Sequence, residues 1–235
     1  QKTYILKQLK ANNLKNIEDF YTTPVVFNPT LENINEVKNQ ELKFCLDYVP
    51  QNGTVLEFGV YKGESINRMS SLRPDINFFG FDSFTGLPEN WDLGGKFISK
   101  EKFSLNGKLP SVNTNVTLIK GFYDNTLKNW VKENYESVIH FINIDVDIYS
   151  STKTVLNELN RHILPGTIIR FDELCDWRHL KNITAKEDKR PPKSRYTTWA
   201  QHEWKALNEW TTENNRDIEP LARNYCQSSI MQVIK

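Results

Sequence analysis

The run VIHFINIDV at 138–146 is apolar with hardly a break, and a strand needs that composition only where both of its faces are covered. TVLEFGV at 54–60 and GTIIRFDE at 166–173 share the property. Shorter runs, INFFGFD at 76–82 and NVTLIKG at 115–121, have the β-branched and aromatic content of strands. Between these lie segments with apolar positions at helical spacing: 35–49, GESINRMSSL with Ser65 near its start, DNTLKNWVKEN, and SSTKTVLNELNRHI. A Trp-rich helix is predicted at 197–214, and NYCQSSIMQVIK closes with strand character. Strands alternating with helices predict an α/β fold on a parallel sheet covered on both faces. Residues 1–34 read as a peripheral N-terminal lead-in and 35–235 as one domain. In such sheets ligands gather outside the carboxyl ends of the strands. The strand ends of this chain therefore belong to one crevice.

Composition narrows the partners. Thirty basic residues against 29 acidic ones give a formal charge of +1, so no global field draws the chain to nucleic acid or an anionic membrane. No apolar run reaches the roughly 18 residues of a membrane helix, and no charged-then-apolar leader opens the chain. Cys45, Cys175 and Cys226 are far apart, odd in number and without metal-ligand spacing. They read as reduced thiols of a cytoplasmic protein. Gln1 reads as the start of a domain excised from a longer protein, and chance accounts for the N-x-[ST] triplets at Asn52, Asn115 and Asn182.

Chemistry concentrates where strands end. In EFGVYKGES, Gly59 and Gly63 let the backbone turn sharply and approach a ligand, with a helix N-terminus behind them. A tight strand-to-helix turn alone would also need them. Glu57 is a carboxylate within an apolar strand and requires donors. Twenty-five residues later Asp82 closes the second strand in FGFDSFTGLPENW, well placed to accept hydrogen bonds from the two hydroxyls of a ribose. An NAD fingerprint would want glycine at 61, where Tyr61 would crowd a pyrophosphate. In INIDVDIYSST, side chains of an extended chain alternate, so Asn143, Asp145, Asp147 and Tyr149 share one face. Two like charges there require solvent or a positive group.

In this order EFGVYKGES, FGFDSFTGLPENW, GFYDNTL, IDVDIYSST and PGTIIRFDE resemble class I S-adenosylmethionine-dependent methyltransferases, and among them the macrocin O-methyltransferase family of sugar methyltransferases. The likeness runs from about residue 50 to 175, and D-S-F-x-G-L-P and D-x-D-x-Y-x-S-T are its most specific strings. Where the class I pattern has a third glycine, this chain has Tyr61. The resemblance implies a Rossmann-like fold, a mostly parallel seven-stranded sheet with helices on both faces. It implies that Glu57, Phe58, Gly59, Val60, Tyr61 and Gly63 line the methionine part of S-adenosylmethionine. Asp82 would hold the ribose with Ser83 and Phe84 beside it, and Gly121, Phe122, Tyr123 and Asp124 would face adenine.

In that topology Asp145 and the pair Asp172 and Glu173 end neighbouring strands and converge. A hard divalent cation removes their repulsion, magnesium first, then calcium or manganese; pairing with Lys or Arg is the other reading. Asp147 is expected to stabilise the turn or cap the next helix. Catalysis would deprotonate an acceptor hydroxyl, with His179 as base, Asp145 next and His202 third; His140 is expected in the core. Residues 174–196 carry seven Lys or Arg against three acids and read as a lid, a basic rim or a solvated loop. Trp177, Trp199, Trp204 and Trp210 would stack on a sugar or, for the last three, pack in the core or a dimer contact. The function expected is O-methylation of a sugar hydroxyl on a glycan or glycosylated small molecule. The alternatives are a methyltransferase of a non-sugar small molecule, an NAD-dependent oxidoreductase, and a non-catalytic nucleotide-binding module recruiting a glycosyltransferase. The resembled family also implies homo-oligomers.

Overall fold

In chain order the elements are β1 Val25–Phe27, α1 Ile34–Leu46, β2 Thr54–Phe58, α2 Glu64–Leu72, β3 Asn77–Asp82, β4 Trp91–Asp92, β5 Phe97–Ile98, β6 Val116–Lys120, α3 Tyr123–Glu133, β7 Ile139–Ile144, α4 Tyr149–Glu158, β8 Ile168–Phe171, α5 Glu203–Glu213, β9 Ile218–Asn224 and β10 Ser229–Val233. They come from a computed structural model that describes residues 25–27, 34–175, 196–224 and 227–235. His179, Trp177, Cys226, Asn182 and most of the basic segment and the lead-in lie outside the described residues.

Among the described residues eight strands form one sheet in the order β1-β9-β10-β8-β7-β2-β3-β6. The expected seven-stranded, mostly parallel sheet is present, and three-residue β1 extends its edge beside β9. Only β10 runs antiparallel, to β8 on one side and β9 on the other. β4 and β5 make a separate small hairpin.

Alternation along the strands feeds two cores. Phe58, Phe81 and Ile142 pack with Leu127, Trp130, Val155, Leu207 and Trp210, which puts α3, α4 and α5 on one face. Val55, Phe78 and Phe141 pack with Leu42, Cys45, Ile66 and Met69, which puts α1 and α2 on the other. Trp199, Trp204 and Trp210 are all buried, so the Trp-rich segment is core and offers no sugar platform. Asn115 is engaged inside the fold, its amide donating to the carbonyls of Ser70, Arg73 and Ile76 at 3.2, 3.4 and 3.1 Å. Among the described residues no helix is long and apolar enough to cross a membrane.

Strand boundaries differ from expectation at one functional point. β7 stops at Ile144, and Asp147 takes a left-handed conformation, φ 66°. The alternation that would align Asp145 with Asp147 therefore ends before either of them. β9 was not foreseen: IEPLARN holds a proline and two charges and lacks a two-residue rhythm.

Candidate functional site

β2, β3, β7 and β8 are parallel neighbours in register, so the loops that follow them share one end of the sheet. Those loops enclose a cavity of about 590 Å³. At its centre β2 and β7 touch: the Asp145 amide donates to the Phe58 carbonyl at 3.0 Å. Gly59, φ +90°, passes against the Asp145 backbone.

Asp82 ties the first two loops together. One of its carboxylate oxygens accepts the Tyr61 amide and the other the Phe84 amide, each at 2.7 Å. Burial pushes its pKa up, and these amides oppose the push. Tyr61 adopts φ 48°, the left-handed conformation that glycine takes most easily. The departure from the class I glycine pattern is thus accommodated in the backbone, and the ring turns edge-on to Phe103 at 5.7 Å.

Of the residues expected around the cofactor, Gly59, Tyr61, Asp82, Ser83, Gly121, Phe122, Tyr123 and Asp124 line the cavity. Glu57, Phe58, Val60, Gly63 and Phe84 do not, and each has a physical reason. Phe58 is fully buried and stacks on Phe81, centroids 4.8 Å apart. Val60 and Phe84 belong to the core on the α1–α2 face. Gly63, φ 81°, caps α2. Glu57 lies beneath the cavity, where its carboxylate accepts the Ser65 hydroxyl at 2.8 Å and the Asn143 amide at 3.1 Å. Burial pushes its pKa up to about 7 against those bonds and the Lys38 charge.

The acids regroup relative to expectation. Asp145, Asp147 and Glu173 bring carboxylate oxygens within 4.8 Å of one another. Asp147, expected only to shape the turn, joins them because its left-handed backbone swings the side chain inward. Asp172, expected as a ligand, lines the cavity but is held by Arg170 at 2.5 Å and Lys38 at 3.3 Å. Burial would raise its pKa, yet Lys38 and Arg170 hold it well below the usual carboxylate range. Asp145, Asp147 and Glu173 are pushed the other way, first by burial and then by neighbouring carboxylates, Asp172 for all three, with Asp145 also acting on Asp147 and on Glu173. Arg170 itself is buried and reaches Glu41 at 2.6 Å; Glu41 also accepts the Ser228 hydroxyl at 2.5 Å. Pairing with Lys or Arg is therefore observed on the Asp145–Asp172 side of the cluster. Among the described residues Glu173 Oε2 is buried and without a hydrogen-bond partner. Three carboxylates, one of them with this orphaned oxygen, are a hard donor set that suits a divalent cation.

Three features were not foreseen. Lys38, on α1, contacts Asp145 across 107 positions. Glu203, fully buried at the start of α5, accepts the Glu173 amide at 3.2 Å. The β4–β5 hairpin adds Trp91 to a cavity lining that also holds Leu87, Pro88 and Phe103, and Ser150, Ser151 and Thr154 of α4. Residues before α5 fasten this hairpin: Thr198 Oγ1 donates to the Asp92 carbonyl at 2.5 Å, the Thr197 amide donates to the Leu93 carbonyl at 3.2 Å, and Tyr196 meets Trp91 edge-on. His202 contacts the same Asp92 carbonyl at 3.0 Å and does not line the cavity. His140 accepts the Thr54 amide at 3.2 Å, at the opposite end of β2.

A Rossmann-like sheet with β10 alone antiparallel, inserted between β8 and β9, and a cavity over the ends of its parallel strands is the class I S-adenosylmethionine-dependent methyltransferase fold. Residues 56–174 match the family model described as a methyltransferase domain, and the chain belongs to that family. Solved structures of O-methyltransferases share the fold. The calicheamicin methyltransferase CalS11 aligns with a TM-score of 0.62 and 21% identity over 98% of this chain and 91% of that one. Apo CalS11, a TDP-rhamnose 3'-O-methyltransferase of calicheamicin biosynthesis, aligns with 0.54 and 22% over 98% and 92%. The O-methyltransferase NovP aligns with 0.51 and 16% over 85% and 81%. Among curated proteins none matches the sequence.

Proposed function

We propose that this protein transfers a methyl group from S-adenosylmethionine to a sugar hydroxyl of a glycan or glycosylated small molecule, with a divalent cation, magnesium first, at the acid cluster. The observation that carries the reading is the meeting of Asp145, Asp147 and Glu173 in the cavity that Asp82 also lines. The sugar reading draws on the likeness to CalS11, described as a TDP-rhamnose 3'-O-methyltransferase, and on a cavity lined by Trp91 together with Ser150, Ser151 and Thr154.

When bound, S-adenosylmethionine supplies a sulfonium methyl for direct transfer. When bound, a divalent cation supplies a Lewis acid that lowers the proton affinity of a hydroxyl. In this reading Asp82 accepts from the ribose hydroxyls, with Tyr61 and Ser83 beside it, while Gly121, Phe122, Tyr123 and Asp124 face the base. Asp147, Glu173 and Asp145 would hold the cation. His179 is the proposed proton acceptor and Asp145 the alternative. Alignment of the acceptor against the methyl donor, kept by the rigid strand ends, supplies much of the rate. A glycosyltransferase that makes the acceptor is the partner this reading implies, and action in the cytoplasm accords with three cysteines spaced far apart in the sequence.

The test combines calorimetry with S-adenosylhomocysteine and a labelled-methyl assay on nucleotide sugars, TDP-rhamnose among them, and on glycan fragments, with and without a chelator. In D147N/E173Q, S-adenosylhomocysteine binding stays within about threefold of wild type while methyl transfer falls at least ~100-fold. Chelation does the same to wild type. Normal transfer by the double variant overturns the cation; transfer to no sugar, with transfer to other hydroxyl compounds, overturns the acceptor.

A further inference from the structure

Lys38 sits on α1, ahead of the segment that matches the family model. Its ammonium lies 2.5 Å from Asp145 Oδ2 and 3.3 Å from Asp172 Oδ1. Arg170 reaches the same Asp172 oxygen at 2.5 Å. One side of the cluster is thus neutralised by the chain's own cations. The other side is not: among the described residues no ion pair reaches Asp147, Glu173 or Glu203. There Glu173 Oε2 and Glu203 Oε1 are buried without hydrogen-bond partners.

The helix that carries Lys38 is anchored at the same height. Glu41, three residues on and therefore on the same face, takes Arg170 at 2.9 and 2.6 Å through Nε and Nη2. Glu41 and Arg170 are both 1% exposed, so α1 cannot drift and Lys38 is delivered to Asp145 as a fixed part of the fold.

We infer that Lys38 is a tethered cation that occupies the Asp145–Asp172 side of the cluster, competes for Asp145, and so sets how tightly the cavity holds a divalent ion. The inference rests on the cation reading proposed above. Asp145 is the one acid common to both halves: it shares an oxygen with Lys38 and belongs to the group with Asp147 and Glu173. A positive charge at that point repels an incoming ion and withholds one of its ligands. Lys38 is a positioning residue in this scheme, since it acts through Asp145.

The measurement is Mn²⁺ binding to the metal-stripped chain, read by paramagnetic resonance and calorimetry without any turnover. K38M, similar in length and uncharged, is expected to bind Mn²⁺ at least ~10-fold more tightly than wild type, and K38R, which keeps the charge, to stay within about threefold. K38M binding no more tightly than wild type overturns the inference. Should K38M not fold, D172N and E173Q decide it. In D172N the Lys38 charge that Asp172 shares falls on Asp145 alone, so Mn²⁺ affinity is lost at least ~10-fold, and E173Q, which removes a ligand, loses at least ~30-fold; D172N within about threefold of wild type overturns the inference. Wild type that takes up no Mn²⁺ overturns the cation reading as well, whereas wild-type binding with an unchanged K38M overturns only the role of Lys38.

Discussion

Gly59 and Asp145 stand back to back: a β-carbon on Gly59 would lie 1.7 Å from the Asp145 carbonyl oxygen. The glycine that lets the β2 loop turn toward a cofactor is also the one that lets β7 present its acid. G59A must push the two loops apart and adopt φ near +90°. It is expected to lose about 3 kcal/mol of stability, roughly 6–12 °C in a chain of this size, together with S-adenosylhomocysteine binding. Calorimetry and a thermal melt check both; a variant that melts and binds like wild type removes the coupling.

Asp82 accepts two backbone amides at 2.7 Å, which leaves each oxygen a lone pair for a ribose hydroxyl. D82N turns an N–H₂ toward one of those amides. Both D82N and D82A are expected to weaken S-adenosylhomocysteine by about 2–3 kcal/mol, the loss of charge-assisted bonds. Affinity within threefold of wild type in titration calorimetry would remove the ribose role.

Glu57 gives stability a pH dependence. Its pKa rises from the ordinary 4.5 to about 7, so the folded state favours the neutral carboxyl. The stabilisation is complete below about 4.5 and is lost as pH climbs through 7. By the size of the shift this amounts to about 3 kcal/mol. E57Q cannot ionise, so its stability minus that of wild type should rise between those pH values in urea titrations. A flat difference contradicts the assignment.

Arg170 is buried between Glu41, Asp172 and the Asn143 side-chain oxygen, which it meets at 3.0 Å. R170M leaves Glu41 buried without its partner and is expected to cost about 3–5 kcal/mol. R170M/E41L, removing both charges, should recover a large part of it. Denaturant unfolding of the two variants distinguishes a structural ion pair from a dispensable one.

The strand-end lining of the cavity was legible in the sequence because each of its loops follows an apolar run and carries its own glycine or acid within a few residues. Gly59, Asp82, Phe122 and Asp145 could be placed from such local strings. Lys38 and Glu203 could not, since their meaning lies in partners 107 and 30 positions away, and on their own helices they read as ordinary charged positions. Phe58 and Phe84 misled for the opposite reason: they sit inside the right strings, but their side chains point into the two cores. Asp147 required a backbone angle, φ 66°, that strand alternation cannot supply.

One short stretch serves both ends of the cavity. Tyr196, Thr198 and His202 fasten the Trp91 hairpin, and Glu203, the next residue, steadies the Glu173 amide. A substitution there that reshapes the Trp91 side of the cavity also disturbs the support of Glu173. On the function proposed above, evolving this scaffold toward a bulkier acceptor would trade against ion affinity, whereas Leu87, Pro88 and Phe103 line the cavity outside that stretch.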